Sequence, residues 1–422
     1  MPAKILNFVF KKSLIKNGNL YCNLKYFDKG GKPVVTGVAE VEGVDIPMYN
    51  IKVKNGKIDM KNDFINVFAN GSLDEIKCET QAKIVNSLKM PMIIRDLQFR
   101  TAQMDLEKFV NRLNKWSIDA YMNTAMQTKV DMKVSDVVIE NGRIEAKHVA
   151  FKNAPIDDFA ADFSLDRNSL LKMNTNGFKM SGGSLSGEFS YNFKSGATKT
   201  QLKMKNVDSN STAEAYLGLK NQITGKLNGE ANITTKGFDD ISRLKNLNGD
   251  ISFEVADGNM PKLGSIEYLL RASNIIYSGL TTLSVNNLIE LFKPFKQGAF
   301  ENINGNLKLN NGVIKDIEVY SKGANMSLYI NGKYDIENSD ADVVIYGKLG
   351  KNIDNMMGAV GNLSANTILN IIPRTKEKSI YENDIKQIPE IEYKNQDVKI
   401  FRATVEGDIN SSKAANSFKW LE

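Results

Sequence analysis

Apolar and polar residues alternate along most of this chain. Ile251, Phe253 and Val255 are separated by Ser252 and Glu254, Ile317 pairs with Val319, and Met326, Leu328 and Ile330 form a third set. A period of two places every second side chain on one face of a strand. The alternating pieces run about 5 to 9 residues, with turn signals about every 8 to 12 residues, which is the signature of many short strands. Ten Asn-Gly pairs, from Asn17-Gly18 to Asn331-Gly332, punctuate the runs, and Asp257-Gly258 is of the same kind. Such pairs supply the positive-φ residues of two-residue hairpin turns, so hairpins are expected there. Several are followed by an apolar residue two positions on, as at Ile58, Ile144, Leu307 and Met260. This reads as a degenerate repeat of hairpin units.

The expected fold is therefore mainly β, an extended curled antiparallel sheet of repeated hairpins with a few short helices, of the β-groove or β-taco type. Helical spacing of Leu106, Phe109, Val110 and Leu113 predicts a helix within 104–125. Ile266, Leu269 and Leu270, then Leu288, Ile289 and Phe292, predict two more, and 352–372 is a weaker fourth candidate. Residues 373–397 are polar and charged and read as a linker or long loop, and a last strand is expected over 401–409. The organisation predicted is a β-rich N-terminal segment over 1–103, a helical segment over 104–125 and a β-rich segment over 126–260. A helical insertion over 261–300 and a C-terminal β segment over 301–422 follow.

Composition narrows the class. The chain has 422 residues, 42% of them apolar and 25% charged, with a net charge of +6, which excludes disordered and collagenous proteins. Of the 55 basic residues 46 are Lys and only 9 are Arg, while Asn reaches 47. That balance resembles an AT-rich coding sequence more than a nucleic-acid interface, where Arg makes the bidentate base contacts. Lys is interspersed with Asp and Glu, and no basic stripe with interleaved aromatics emerges, so nucleic acid is not an expected partner. The apolar run Ile5 to Phe10 lacks a following small-residue cleavage site and is a poor signal peptide. No stretch of about 18 apolar residues is present to span a membrane as a helix. Cys22 and Cys78 sit in alternating segments and read as buried small hydrophobes, with a disulfide as the alternative.

No catalytic or metal-binding constellation emerges. His148 is the single histidine and reads as a structural residue on a strand face. Gly-Lys pairs lack the Ser or Thr of a phosphate loop, and Gly182 to Gly187 lacks the spacing of a nucleophile elbow. Asp157-Asp158 and Asp239-Asp240 read as solvated turn residues, because neighbours on a strand point to opposite faces. Neither an enzyme nor a cofactor is expected.

Gly225 to Gly237, continuing through Leu247 to Phe253 and Asp257 to Gly264, resembles the C-terminal region of AsmA-like proteins, the AsmA/TamB/YhdP group of envelope proteins. Phe300 to Gly305, Asn311 to Ile314, Gly332 to Ile336 and the ending Ala415 to Leu421 resemble the same family. The resemblance covers about residues 220 to 422. It implies a periplasmic protein that carries phospholipid between inner and outer membranes along an apolar groove. Phospholipid acyl chains and inner- and outer-membrane proteins are its implied partners. It further implies association with the inner membrane through an anchor, and no such anchor is read in this chain. The expected groove lining is Ile251, Phe253, Val255, Leu307, Leu309, Ile317, Val319, Met326, Leu328 and Ile330. Acyl chains would replace water over an uncapped apolar sheet face. The alternative is that the same side chains fill a closed β core, in which case the protein would be a structural or assembly factor for outer-membrane proteins.

Overall fold

A computed structural model describes residues 1–7, 13, 15–28, 30, 33–47, 50–85, 91–105, 108, 137–151, 154–217, 220–221, 223–260, 298–323, 326–349, 374–375, 377–391, 398–408 and 415–421. The chain is mainly β with a few short helices, and its pairings are mixed, mostly antiparallel. It forms two compact units, one of residues 1–151, 155–179 and 186–198, the other of 152–154, 180–185 and 199–422. The helical insertion predicted over 261–300 lies outside the described residues except for 298–300, which begin a strand, and the helix predicted over 352–372 lies outside them entirely. The one over 104–125 also lies outside them, apart from Lys108 and from Met104 and Asp105, which end a strand.

The N-terminal unit opens with a 3-10 turn, Ala3–Ile5, then β1 (Asn17–Asp28), β2 (Pro33–Ile46), β3 (Ile51–Met60), β4 (Ile65–Leu73), β5 (Ile76–Ile84) and β6 (Met92–Asp105). Each of these strands pairs antiparallel with the next. β7 (Val137–Phe151) then joins β6 in parallel, Phe99 opposite Ile144. A parallel pair needs a crossover of a dozen residues or more, in keeping with the 31 residues between these strands. β8 (Ala154–Leu165), β9 (Leu170–Met180) and β10 (Gly183–Asn192) follow, and Leu165, Leu171, Tyr191 and Phe193 make a small core there.

The C-terminal unit contains β11 (Ala197–Asp208), α1 (Ser209–Leu217), β12 (Lys226–Thr235), α2 (Asp240–Lys245) and β13 (Asn248–Met260). It continues with β14 (Gly298–Asn310), β15 (Val313–Gly323), β16 (Met326–Asp335), β17 (Asp340–Leu349) and the short β18 (Arg374–Thr375). A 3-10 turn at Glu377–Tyr381, α3 (Glu382–Gln387), β19 (Lys399–Asp408) and β20 (Ala415–Leu421) close it. From β12 to β17 the strands form an antiparallel meander, which β19 and β20 extend.

The Asn-Gly pairs are placed differently from the expectation. Asn311-Gly312 joins β14 to β15 as a turn, but Asn55-Gly56, Asn70-Gly71, Asn141-Gly142, Asn176-Gly177, Asn228-Gly229, Asn304-Gly305 and Asn331-Gly332 lie inside strands. Several of these glycines make room for a neighbouring ring or strand. A Cβ at Gly305 would collide with the Phe253 ring, and one at Gly142 with the Phe163 ring. The asparagines serve bulges: Asn228 Oδ1 accepts from the N–H of Asn206, whose φ is 55°, and Asn141 donates to Asp96, whose φ is 50°. Bulges of this kind locally bend and twist a strand, so at these two pairs the asparagine supports a bulge rather than a chain reversal.

The stretch read as a polar linker also folds. Glu377 to Gln387 is helical, and Ile385, Ile388 and Ile391 are buried. Its docking surface is a row of rings across β15, β16 and β17, where Tyr320 faces Tyr329 and Tyr329 faces Tyr346. The ring centroids are 5.0 and 6.3 Å apart. Tyr346 donates a hydrogen bond to Asp384 of α3 at 2.9 Å, and Lys348 donates to the carbonyl of Ile388. A hydroxyl at the end of each apolar ring lets a polar helix anchor on this face. α2 begins with the Asp pair at 239–240, since Asp239 caps the helix by accepting from the N–H of Ser242 at 2.8 Å.

Candidate functional site

Directly opposite residues in a sheet share a face, so the registers of β1 to β7 define rows of side chains. On one face of the N-terminal unit, Leu24, Gly37, Met60, Ile65, Ile84, Ile94 and Ile139 form one row. Leu20, Val41, Gly56, Ala69, Thr80, Phe99 and Ile144 form another, and Cys22, Ala39, Ile58, Val67 lie between them. The face is apolar over seven strands.

Its exposure varies along the rows. Ala3 and Ile15, with Leu6, pack on Leu20, Ala39 and Val44, so the N-terminal turn covers one end. Ile58, which packs against that cluster, and beyond it Met60, Ile65, Val67, Ala69, Ala82, Ile84, Ile94, Phe99 and Ile139 are only partly buried. At the β1 margin Leu24 is 42% exposed, Tyr26 72% and Val35 41%. Such a field of partly wet aliphatic groups gains free energy when another apolar body displaces the water, at about 25 cal/mol per Å² covered.

The opposite face of the same strands is ionic. Arg100 pairs with Glu145 at 2.9 Å and Glu79 at 3.7 Å, Arg143 with Glu145 and Asp162, and Arg95 with Glu140. Hydrogen bonds from Arg143 and Arg100 hold the Glu145 carboxyl below its usual range. His148 lies here, exposed, with Nδ1 2.8 Å from Asp157 Oδ1, and Asp158 pairs with Lys179. His148 therefore stands on the solvent face, bonded to a carboxylate. A furrow of about 810 Å³ crosses this unit, lined by Lys52, Lys54, Lys77, Arg100 and Lys147 along with Asp45 and Glu79. Val44, Val53, Gly71, Cys78 and Thr101, one row of the apolar face, line it as well, so residues of both faces contribute. Its surplus of cations suits anions near the surface.

Both cysteines are free. Cys22 is exposed rather than buried, because it lies on the uncovered end of β1, and Cys78 is intermediate, with burial pushing its thiol upward. Among the described residues no group of three or more His, Cys, Asp or Glu side chains is placed to hold a metal ion.

The lining residues expected from the sequence lie in the C-terminal unit. The registers bring them together: Ile251, Leu307 and Ile317 share one row, and Phe253, Val319 and Ile330 share the next. Val255 and Leu328 fall in a third, with Ile303, Gly347 and Phe401. Ile251 and Phe253 are partly buried. Val255 and Met326 are 0% exposed, Leu328 and Ile330 1%, Leu307, Ile317 and Val319 3%, and Leu309 5%. These eight side chains are at most 5% exposed, whereas the partly exposed apolar face belongs to β1–β7, which the sequence reading did not single out. Its signal was present in Ile65, Val67 and Ala69 alternating with Asn66, Phe68 and Asn70, weakened by small residues and by Phe68 on the polar face.

No helix among the described residues is long and apolar enough to cross a membrane. No protein family, curated protein or solved structure matches the chain.

Proposed function

We propose that the chain is a lipid-binding and lipid-transfer protein of the bacterial envelope, which lays phospholipid acyl chains on the apolar face of its N-terminal unit and carries them between the inner and outer membranes. The observation that supports this reading is the seven-strand apolar face whose side chains remain partly exposed between Met60 and Ile139. An acyl chain that half-buries about ten methylenes there gains about 4 kcal/mol. Rows of similar aliphatic groups make neighbouring positions nearly equivalent, so a bound chain can slide without crossing a large barrier. On this reading the protein is not an enzyme, faces the periplasm, works with inner- and outer-membrane proteins and associates with the inner membrane.

A second reading, a structural or assembly factor for outer-membrane proteins with a closed β core, is favoured by the sealed side chains of the C-terminal unit, such as Leu328 at 1% exposure. Native mass spectrometry of protein purified without detergent separates the two. Lipid transfer predicts co-purified phospholipid that is lost in the double variant Ile58→Asp, Val67→Asp, whose unchanged circular dichroism establishes folding. Lipid-free, folded wild-type protein would move the assignment to the assembly factor.

A further inference from the structure

β1 is an edge strand, and the structure shows which of its backbone groups are unpaired. Leu20 donates its N–H to the carbonyl of Met1 at 2.7 Å and accepts from the Met1 amino group at 2.9 Å. Both polar groups of Leu20 therefore point away from β2. The register with β2 is regular from Asn19 to Asp28, so the backbones of Cys22, Leu24 and Tyr26 point the same way. Among the described residues none of these three has a partner strand on that side.

The side chains around this edge are apolar on both faces. Tyr26 is 72% exposed, Tyr21 54%, Leu24 42% and Phe27 40%. Edge strands of soluble proteins are ordinarily shortened, covered, bulged or charged to prevent pairing, and here one cation, Lys25, is the sole such device between Tyr21 and Phe27.

We propose that β1 pairs antiparallel with β1 of a second copy of this chain, about a two-fold axis at Leu24. Charge and edge occupancy disfavour the two adjacent registers. An axis at Asn23 would set Tyr26 against Leu20 of the second copy, whose edge groups Met1 already occupies. An axis at Lys25 would set two ammonium groups directly opposite each other, which is repulsive. With the axis at Leu24, Leu24 meets its own copy, Cys22 meets Tyr26, Tyr21 meets Phe27 and Lys25 meets Asn23. All three outward-facing residues then exchange both of their hydrogen bonds, and the pairing stops where Met1 covers Leu20. The apolar faces of two N-terminal units become one surface.

Sedimentation velocity on the full chain tests this, with wild type expected to be a dimer. Leu24→Pro removes an N–H that β2 does not use, so the fold tolerates it as an edge proline. It is expected to be monomeric at a concentration where wild type is dimeric. Leu24→Lys places like charges across the axis and gives the same result without altering the backbone. In a Cys22→Ser, Cys78→Ser background, Leu24→Cys forms a disulfide-linked dimer on mild oxidation, whereas Tyr21→Cys, which opposes Phe27, does not. A monomeric wild type, a Leu24→Lys dimer as tight as wild type, or cross-linking through position 21 instead of 24 would each overturn the proposal.

Discussion

The two units use the same alternation to different ends. In the N-terminal unit, Ile58 and Val67 oppose each other on a face that stays partly wet, while in the C-terminal unit Ile330 and Ile345 oppose each other at 1% and 0% exposure. One difference is composition along the rows. The N-terminal rows contain Gly56, Ala69 and Thr80, or Gly71, Cys78 and Thr101, which leave little side chain to interdigitate. The C-terminal rows set large against small, Phe253 against Gly305 and Phe401 against Gly347, so that rings fill the space glycine leaves. A second difference is what covers the other face. β16 is buried at five consecutive positions, Met326 to Ile330, because α3 and the tyrosine row close one side while Leu328 and Ile330 are sealed on the other. Alternation fixes which side chains share a face; packing decides whether that face meets water.

The contrast can be broken most severely at Leu328. Leu328→Ala, fully buried, is expected to cost about 3 to 5 kcal/mol, whereas Val67→Ala, partly exposed, costs about 1 kcal/mol or less. Urea unfolding followed by hydrogen exchange of peptides from each unit reads both. Next in size is Gly305→Ala, whose methyl group collides with the Phe253 ring. Overpacking there is expected to cost about 1 to 3 kcal/mol, and Phe253→Leu in the same chain should recover part of it.

Alkaline pH sharpens the comparison further. Burial pushes the hydroxyls of Tyr334 and Tyr346 in the C-terminal unit up to about 12. The fold favours their protonated forms, so their contribution is complete below the ordinary tyrosine pKa near 10 and lost as pH rises through about 12. Hydrogen exchange between pH 10 and 12 should show the C-terminal unit loosening first, less so in Tyr346→Phe. The smallest effect is expected at Arg100, whose exposed ion pairs with Glu79 and Glu145 contribute about 0 to 1 kcal/mol. Arg100→Ala should weaken the N-terminal unit slightly at low salt and not at all at high salt. The contribution of Glu145 falls away as acid protonates it, since its carboxyl sits below the unfolded range.

Much of the architecture was legible. Period-two alternation at Ile251 to Val255 and Met326 to Ile330 marks real strands, and the mainly β class follows from it. Hairpin placement was not legible from Asn-Gly pairs, because the dipeptide that permits a tight turn equally permits close strand approach, as at Asn70-Gly71, where a Cβ would meet the carbonyl of Lys52. α3 was hidden because Glu382 to Gln387 carries Ile385 as its lone strong apolar residue. Its helix is fixed by Tyr346 and Lys348, about 40 residues away in sequence and invisible to any local pattern. The apolar face of β1–β7 was missed for a related reason. Its rows mix Met, Ile and Phe with Gly, Ala, Thr and Cys, and their continuity appears only once the cross-strand register is known.

The proposed binding of acyl chains to the N-terminal face has a direct test. A photo-crosslinking amino acid placed at Val67, and in a separate protein at Leu328, tests it directly after irradiation in cells or with phospholipid vesicles. Lipid adducts are predicted at position 67 and absent at 328. Adducts absent from 67, or equally frequent at both positions, would contradict the account.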